Sequence, residues 1–253
     1  MKSPNDSALE FHERTKMLPA RNVPGLEPRP MADARPVPLA LFGLPAVRAW
    51  VGGVSLEASI GRRATSRLFD ESQPLSSDLL ARLLKFSCGL THATLGEDDG
   101  GQLVEHRAQP SAGATYPIEA YFLISNVSVL PCGVYRYDAR SHTAVWLRTG
   151  RFGRQMAGWT MGQPWLARAS VHFLLTGRHE RIRHRYAARG YRYMLFEAGH
   201  IAQNLSLLGT AYGLATQAVG GFEDETLARL LRLPAGEDVL YLVAVGHRRS
   251  PPV

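Results

Sequence analysis

Arg63, Thr65 and Arg67 stand at alternate positions in RRATSRLF. In an extended chain that spacing puts two guanidiniums and a hydroxyl on one face, and in a helical turn the two Arg still converge. A guanidinium offers a rigid fork of donors that matches phosphate oxygens in pairs, and a Thr hydroxyl fills a third position. The stretch taken alone also fits a solvated basic edge. Near the C-terminus, VGHRRSPP ends an apolar run in Arg248 and Arg249, delivering two more cations at a fixed point or simply closing a core strand with a polar tail. In QPSAGATYPIEAYFLI, Pro110, Ser111, Ala112 and Gly113 lead straight into an apolar run. Small side chains there let a planar ring approach the backbone, and amides in such a turn can donate to a ligand. A turn punctuated by Pro and Gly ahead of a strand has the same pattern. Val219, Gly220 and Gly221 in AVGGFEDETL make a second close-approach turn, or an ordinary strand-to-helix connection, and the acids that follow suit a helix N-terminus.

Two further patterns bear on chemistry. Tyr193, Glu197, His200 and Asn204 follow helical spacing and form a polar stripe. It holds no Lys and little charge, so a buried polar seam or a subunit contact competes with a solvated face. A single Glu-x-x-His without companion carboxylates argues against a di-metal site. The Arg-rich segment at 178–192 interleaves aromatics, but no zinc, helix-turn-helix or RNA-recognition signature accompanies it. A lid gripping an anionic or peptide substrate is the competing reading.

These residues need elements to hold them. PLSSDLLARLLKFSCG predicts a helix capped by Ser76 or Ser77 and stopped by Gly89. The polar, Gly-rich residues 91–108 read as a loop. Strands are predicted at Glu119 to Ser125, Gly133 to Tyr137 and Thr143 to Leu147, the last two as a hairpin, and another begins at Ser170. The longest helix runs from about Tyr191 to Tyr212, with Leu195, Ala198, Ile201, Ala202, Leu205 and Leu208 at helical spacing. LATQAVGG and DVLYLVAVG are strands around a short helix at 223–231. Strands and helices mix without a βαβ rhythm, so the fold class is α+β with one mixed or largely antiparallel sheet flanked by helices. Residues 18–50 hold seven of the sixteen prolines and read as an extended arm wrapping the body or a partner subunit, after a short helix in ALEFHERTK.

At 253 residues and 45% hydrophobic composition the chain can bury a proper core. Cys88 and Cys132 are too few for a disulfide framework and lack metal-ligand spacing, which fits a reducing cytoplasm. No apolar run approaches the roughly 20 residues that span a bilayer. The net charge of +7 favours an anionic partner: nucleic acid, an acidic peptide or a phosphate-bearing cofactor.

In order, these pieces resemble the nitroreductase superfamily of FMN enzymes, and most of all its SagB/McbC-type dehydrogenase branch, the thiazole/oxazole-forming oxidases. RATSRLF is similar to the superfamily's phosphate motif and PSAGATYPIEAYFLI to the branch signature. CGVYRYDARSHTAVWL resembles its hairpin, and RGYRYMLFEAGHIAQNL, AVGGFEDETL and VAVGH complete the likeness over about residues 60 to 248. FHERTK is similar to a short N-terminal signature of stand-alone members. The resemblance divides the chain into residues 1–59, a short helix and Pro-rich arm, and 60–253, an FMN-binding domain.

The resemblance implies a homodimer with FMN at the subunit interface. Arg63, Thr65, Arg67 and Arg248 would hold its phosphate and ribityl chain. Pro110, Ser111, Ala112 and Gly113 would line the isoalloxazine, and Val219, Gly220 and Gly221 would meet its N5 and O4 edge. The implied chemistry is oxidation of a thiazoline or oxazoline in a ribosomal or nonribosomal peptide to the aromatic azole, with a cyclodehydratase or synthetase as partner and no nucleic acid or membrane. Oxidases of this branch carry an adjacent Lys-Tyr pair, where this chain has Arg192 and Tyr193. Arg stays protonated, so it can orient or stabilise charge but not accept a proton. Two alternatives remain: an NAD(P)H-dependent nitro, quinone or flavin reductase of the superfamily, and a non-catalytic flavin-fold scaffold subunit of a biosynthetic complex.

Overall fold

Ile118–Ile124 (β5) is an unbroken run of seven buried residues, because both faces of the strand are covered. Successive side chains alternate between two cores. Phe122 and Ile124 point into one with Phe173, Val243, Leu83, Ile201 and Leu205. Tyr121 and Leu123 point into the other with Leu174, Leu242, Met156, Leu227 and Leu230. A register slip of one residue would exchange these sets, so the double core fixes the pairing. Burying a side chain such as Phe122 stabilises by about 2–3 kcal/mol.

The computed structural model describes residues 4–17, 38–47, 53–95 and 103–249. The central part of the Pro-rich arm, 18–37, lies outside the described residues, as do 48–52. The order is α1 (Pro4–Thr15), β1 (Ala40–Gly43), α2 (Leu56–Arg62), β2 (Phe69–Asp70), α3 (Ser77–Cys88), β3 (Leu90–Leu95), β4 (Leu103–Arg107), β5, β6 (Gly133–Asp138) and β7 (Thr143–Thr149). Then come α4 (Gly153–Trp159), β8 (Val171–Arg178), α5 (His179–Tyr186), α6 (Arg189–Ala211), β9 (Leu214–Val219), α7 (Asp224–Leu231) and β10 (Glu237–Arg248). The main sheet has the order β1-β7-β6-β5-β8-β10-β2, with β9 also on β10. Every pairing of named strands is antiparallel. The α+β class is therefore as expected.

Local chemistry explains the boundaries. Ser76 caps α3 by accepting the Leu79 N–H, and Asp78 sits in its first turn. In the β6–β7 turn, Asp138 accepts N–H groups from Arg140 and Ser141, replacing ladder bonds that the reversal removes. Two expectations differ. Residues 91–108 form not a loop but the β3–β4 hairpin, with 96–102 outside the described residues. Its side chains are mostly exposed or half-buried, so no hydrophobic alternation marked it. Leu195, placed on the apolar face of α6, is instead exposed. Part of the arm does wrap the body: β1 adds itself to the edge of β7.

Helix α1 docks through one buried carboxylate. His179 Nε2 lies 3.1 Å from Asp238 Oδ2, His12 Nε2 3.5 Å from the same oxygen, and Lys16 Nζ 3.5 Å from Oδ1. His12 Nδ1 meets the Tyr191 hydroxyl at 2.9 Å, and Met17 N donates to Asp224 Oδ2 at 2.8 Å. Burial alone would raise the Asp238 carboxyl, but His12, His179 and Lys16 together hold it far below its ordinary value. A depressed carboxylate contributes stability above its unfolded value of about 4, and that stability is lost as pH falls further. Asp238→Ala should cost about 3 kcal/mol in urea unfolding at pH 7. It should also flatten the acid limb of the stability profile and expose α1 to protease.

Candidate functional site

Strand pairing at the end of β10 gathers one set of predicted residues. His247 and Arg248 pair with Asp70 and Phe69 of β2, and Arg249 N donates to Leu68 O at 3.0 Å. Ser66 N donates to Thr216 O on β9, also at 3.0 Å. The chain before β2 is thereby laid along the sheet edge. Thr65, Ser66, Arg67, Leu68, Arg248 and Arg249 line a cleft of about 610 Å³. Arg67 stacks its guanidinium 4.6 Å over the Trp165 ring, which fixes its direction. No carboxylate among the described residues pairs with Arg67 or Arg248. Arg249 is nearer to one: Asp70 is lowered chiefly by hydrogen bonds from Ser72, with a smaller contribution from Arg249. Arg63 is exposed at the C-cap of α2 and does not line the cleft. Unpaired guanidiniums with a hydroxyl and exposed backbone make an anion site suited to a phosphate.

The Pro110–Gly113 turn has a different origin. Gly113 has φ +57, and a Cβ there would lie 2.7 Å from Tyr186 Oη and 2.8 Å from Arg185 Nη1. The left-handed backbone favours glycine, and a Cβ would push aside the ends of Tyr186 and Arg185. Arg185 Nη1 donates to Gly113 O at 3.1 Å, and Ser111 Oγ accepts the Tyr116 N–H at 2.9 Å. Pro110 and Gly113 are exposed, while Ser111 and Ala112 are half-buried. Tyr193 packs edge-on against Tyr186 with ring centroids 5.0 Å apart, directly behind the turn. Beneath lie Gln109 and Glu197, both buried, with Gln109 Nε2 donating to Glu197 Oε1 at 3.1 Å.

Arg192 leaves α6 in another direction. It lines a groove of about 570 Å³ between α1 and α6 with Phe11, Tyr191 and Leu195. The structure therefore does not bring Arg192 and Tyr193 to one point. Val219 is buried opposite Leu242 on β10, Gly220 is exposed with open space above it, and Gly221 approaches Met161 and Met17.

Strand register sets the separations. Ile118 pairs with Gly177 and Gly177 with Asp238, so the strand that the Pro110–Gly113 turn leads into begins level with the start of β10. Arg248 is ten residues further on, about 33 Å away along the strand. Gly220 follows Val219, which pairs antiparallel with Leu242, so it lies about 23 Å from Arg248 on the same measure. One chain thus carries the cationic cleft and the Gly220–Gly221 edge within reach of one elongated ligand. Its Pro110–Gly113 turn lies at the far end.

This arrangement matches a known group of proteins: residues 60–247 fit the Nitroreductase family. The chain belongs to the nitroreductase family. It is 32% identical over 195 residues to a nitroreductase-type protein of Methanocaldococcus jannaschii, MJ1384, covering 77% of this chain and 92% of that one. It is 31% identical over 145 residues to the trifolitoxin-processing protein TfxB of Rhizobium leguminosarum bv. trifolii, covering 55% of this chain but 38% of TfxB. A nitroreductase-type structure from Ralstonia eutropha aligns with TM-score 0.68 at 25% identity, over 92% of this chain and all of that one. The Escherichia coli microcin synthetase McbBCD complex, bound to truncated pro-MccB17, aligns with TM-score 0.65 at 22% identity, over 98% of this chain and 94% of the matched chain. The chain is thus a nitroreductase-superfamily oxidoreductase, and its likeness to Tfx proteins supports the SagB/McbC-type branch.

Sequence reasoning missed Trp165, because a cation–aromatic stack across the fold leaves no spacing signal. It also left the stripe on α6 unresolved. Glu197 is buried, Asn204 Nδ2 donates to Ser87 O, and His200 faces solvent, so the stripe is a polar seam with one exposed member. Inorganic phosphate should raise the thermal midpoint of the protein by a few degrees. Arg67→Gln/Arg248→Gln should abolish that rise in scanning calorimetry while leaving the phosphate-free midpoint intact.

Proposed function

We propose that this nitroreductase is an FMN-dependent dehydrogenase of a peptide-derived azoline. It would work as a homodimer, convert a thiazoline or oxazoline to the aromatic azole and use oxygen as the final electron acceptor. The observation that carries the reading is the convergence of Thr65, Arg67 and Arg248 around a carboxylate-free cleft, with the Ser111–Gly113 wall at the opposite end of the sheet. A phosphate fits the cleft, and a second copy of the chain is needed to bring a wall to the same ligand.

When bound, FMN supplies a two-electron acceptor for the hydride that leaves the azoline ring. In this reading Arg67 and Arg248 hold the phosphate, Thr65 adds a hydroxyl, and Arg63 stands at the rim. Trp165 keeps the Arg67 fork from turning away. Val219, Gly220 and Gly221 supply backbone near the ring, where the open space above Gly220 admits a flat group. Pro110, Ser111, Ala112 and Gly113 of a second copy exclude water from the other side. Tyr193 relays the proton that accompanies hydride loss, passing its own hydroxyl proton to solvent water as it accepts, and the aromatic packing of Tyr186 limits its rotamers. Arg192 lines the α1–α6 groove, away from Tyr193. The likeness to Tfx proteins supports a peptide substrate, and a cyclodehydratase is the natural supplier of the azoline.

The alignment with MJ1384 over 92% of its length favours a second reading, an NAD(P)H-dependent reductase of nitro compounds, quinones or flavin. Anaerobic addition of NAD(P)H separates the two: the dehydrogenase reading expects the flavin to stay yellow, and rapid bleaching would overturn it. Purified wild-type protein should carry FMN. Gly113→Leu should lose it while the β5 strand remains folded by circular dichroism. Tyr193→Phe should keep FMN and lower kcat for azoline oxidation by about 100-fold.

A further inference from the structure

Glu197 stands mid-way along α6 and is 2% exposed, and Gln109, the residue before the Pro110–Gly113 turn, is 1% exposed. The two planar groups share one hydrogen bond, Gln109 Nε2 to Glu197 Oε1. Their other oxygens, Glu197 Oε2 and Gln109 Oε1, are both buried and neither is hydrogen-bonded. Leaving a buried acceptor unmet is costly, because its bond to water is lost and nothing replaces it. A single proton on Glu197 meets both needs, since an acid O–H can donate to the amide oxygen and close a two-bond acid–amide pair. Burial acts in the same direction. It raises the Glu197 carboxyl above its ordinary value, against the opposing pull of Ser111, Gln109, Arg107 and the Ile118 amide. No ion pair joins Arg107 to Glu197 among the described residues.

We propose that Glu197 is a positioning residue: by pairing with Gln109 it ties the entry of the Pro110–Gly113 turn to α6 and so sets the wall presented to the cofactor ring. The proposal rests on the flavin reading above. Other moorings hold different parts of the turn. Ser111 Oγ accepts the Tyr116 N–H from within, and Arg185 grips the Gly113 carbonyl at its outer end. Gln109 anchors the point where the chain leaves β4, and without it the residue before Pro110 loses its link to the long helix.

The test compares shape with charge. Glu197→Gln keeps a donor and an acceptor in the same places, so both bonds to Gln109 persist; Glu197→Leu and Gln109→Leu remove them. Amide hydrogen exchange of residues 111–116 is measured without FMN, alongside FMN affinity and the visible circular dichroism of bound flavin. Glu197→Gln should match wild type in all three. Each Leu variant should speed exchange, weaken FMN binding about tenfold and alter the flavin dichroism, and the double variant should be no worse than either single one. Wild-type exchange and dichroism in both Leu variants would overturn the proposal. So would a Glu197→Gln variant as defective as Glu197→Leu, because that outcome assigns the role to a carboxylate charge. If wild-type protein binds no FMN, the flavin reading fails, and the exchange data still decide whether the Glu197–Gln109 pair holds the turn. Should Glu197→Leu not fold, Gln109→Leu gives the same comparison from the turn side.

Discussion

Strand β10 is hydrogen-bonded on both edges and buried along most of its twelve residues. Its register against β8 and β9 cannot shift without sending Leu242 and Ala244 into the core that holds Val243 and Val245, so its two ends are fixed relative to each other. At one end Asp238 anchors α1. At the other, Arg248 and Arg249 reach the cleft. Everything with chemical potential in this nitroreductase is placed by what β10 pairs with: β2 brings Arg67 to Arg248, β9 sets the height of Gly220, and β8 transmits the position of β5 and the turn before it.

The charged groups divide by whether they are compensated. Asp238 is surrounded by His12, His179 and Lys16, and Glu119 by Arg181 and Arg136. These buried carboxylates hold elements together, and removing a partner leaves a desolvated charge behind. Arg67 and Arg248 have no such partner among the described residues. Like charges held close together by the backbone are tolerated only because the cleft is open to solvent, and that makes the site responsive to anions. Glu197 is a third kind: a carboxyl whose burial favours the neutral acid against the pull of its neighbours, so it acts through hydrogen-bond geometry.

How far the sequence could be read depended on the kind of signal. Apolar runs and caps were legible: Ser76 and Gly89 bound α3, and IEAYFLI and SVHFLLTG are strands at the expected places. Arg63, Thr65 and Arg67 were visible as a spacing, but only tertiary pairing shows that Thr65 and Arg67 line the cleft while Arg63 stands aside. The β3–β4 hairpin was hidden because neither face is well buried, which removes the alternation that marks a strand. Arg192 and Tyr193 are neighbours in sequence, yet successive helix residues point about 100° apart, and the helix sends them to different surroundings. Glu197 was legible as part of a stripe, and its protonation became arguable only once its partner and burial were known.

The distance between the Pro110–Gly113 turn and the Arg67–Arg248 cleft has a genetic consequence. Under the shared-site reading, each site takes its cleft from one chain and its turn from another. Loss-of-function alleles should then fall into two complementation groups, one at each end of β10. A cell carrying a turn-defective and a cleft-defective copy would assemble mixed dimers with one intact site and one doubly damaged site. Two alleles in the same group would have no such rescue, however mild each one is.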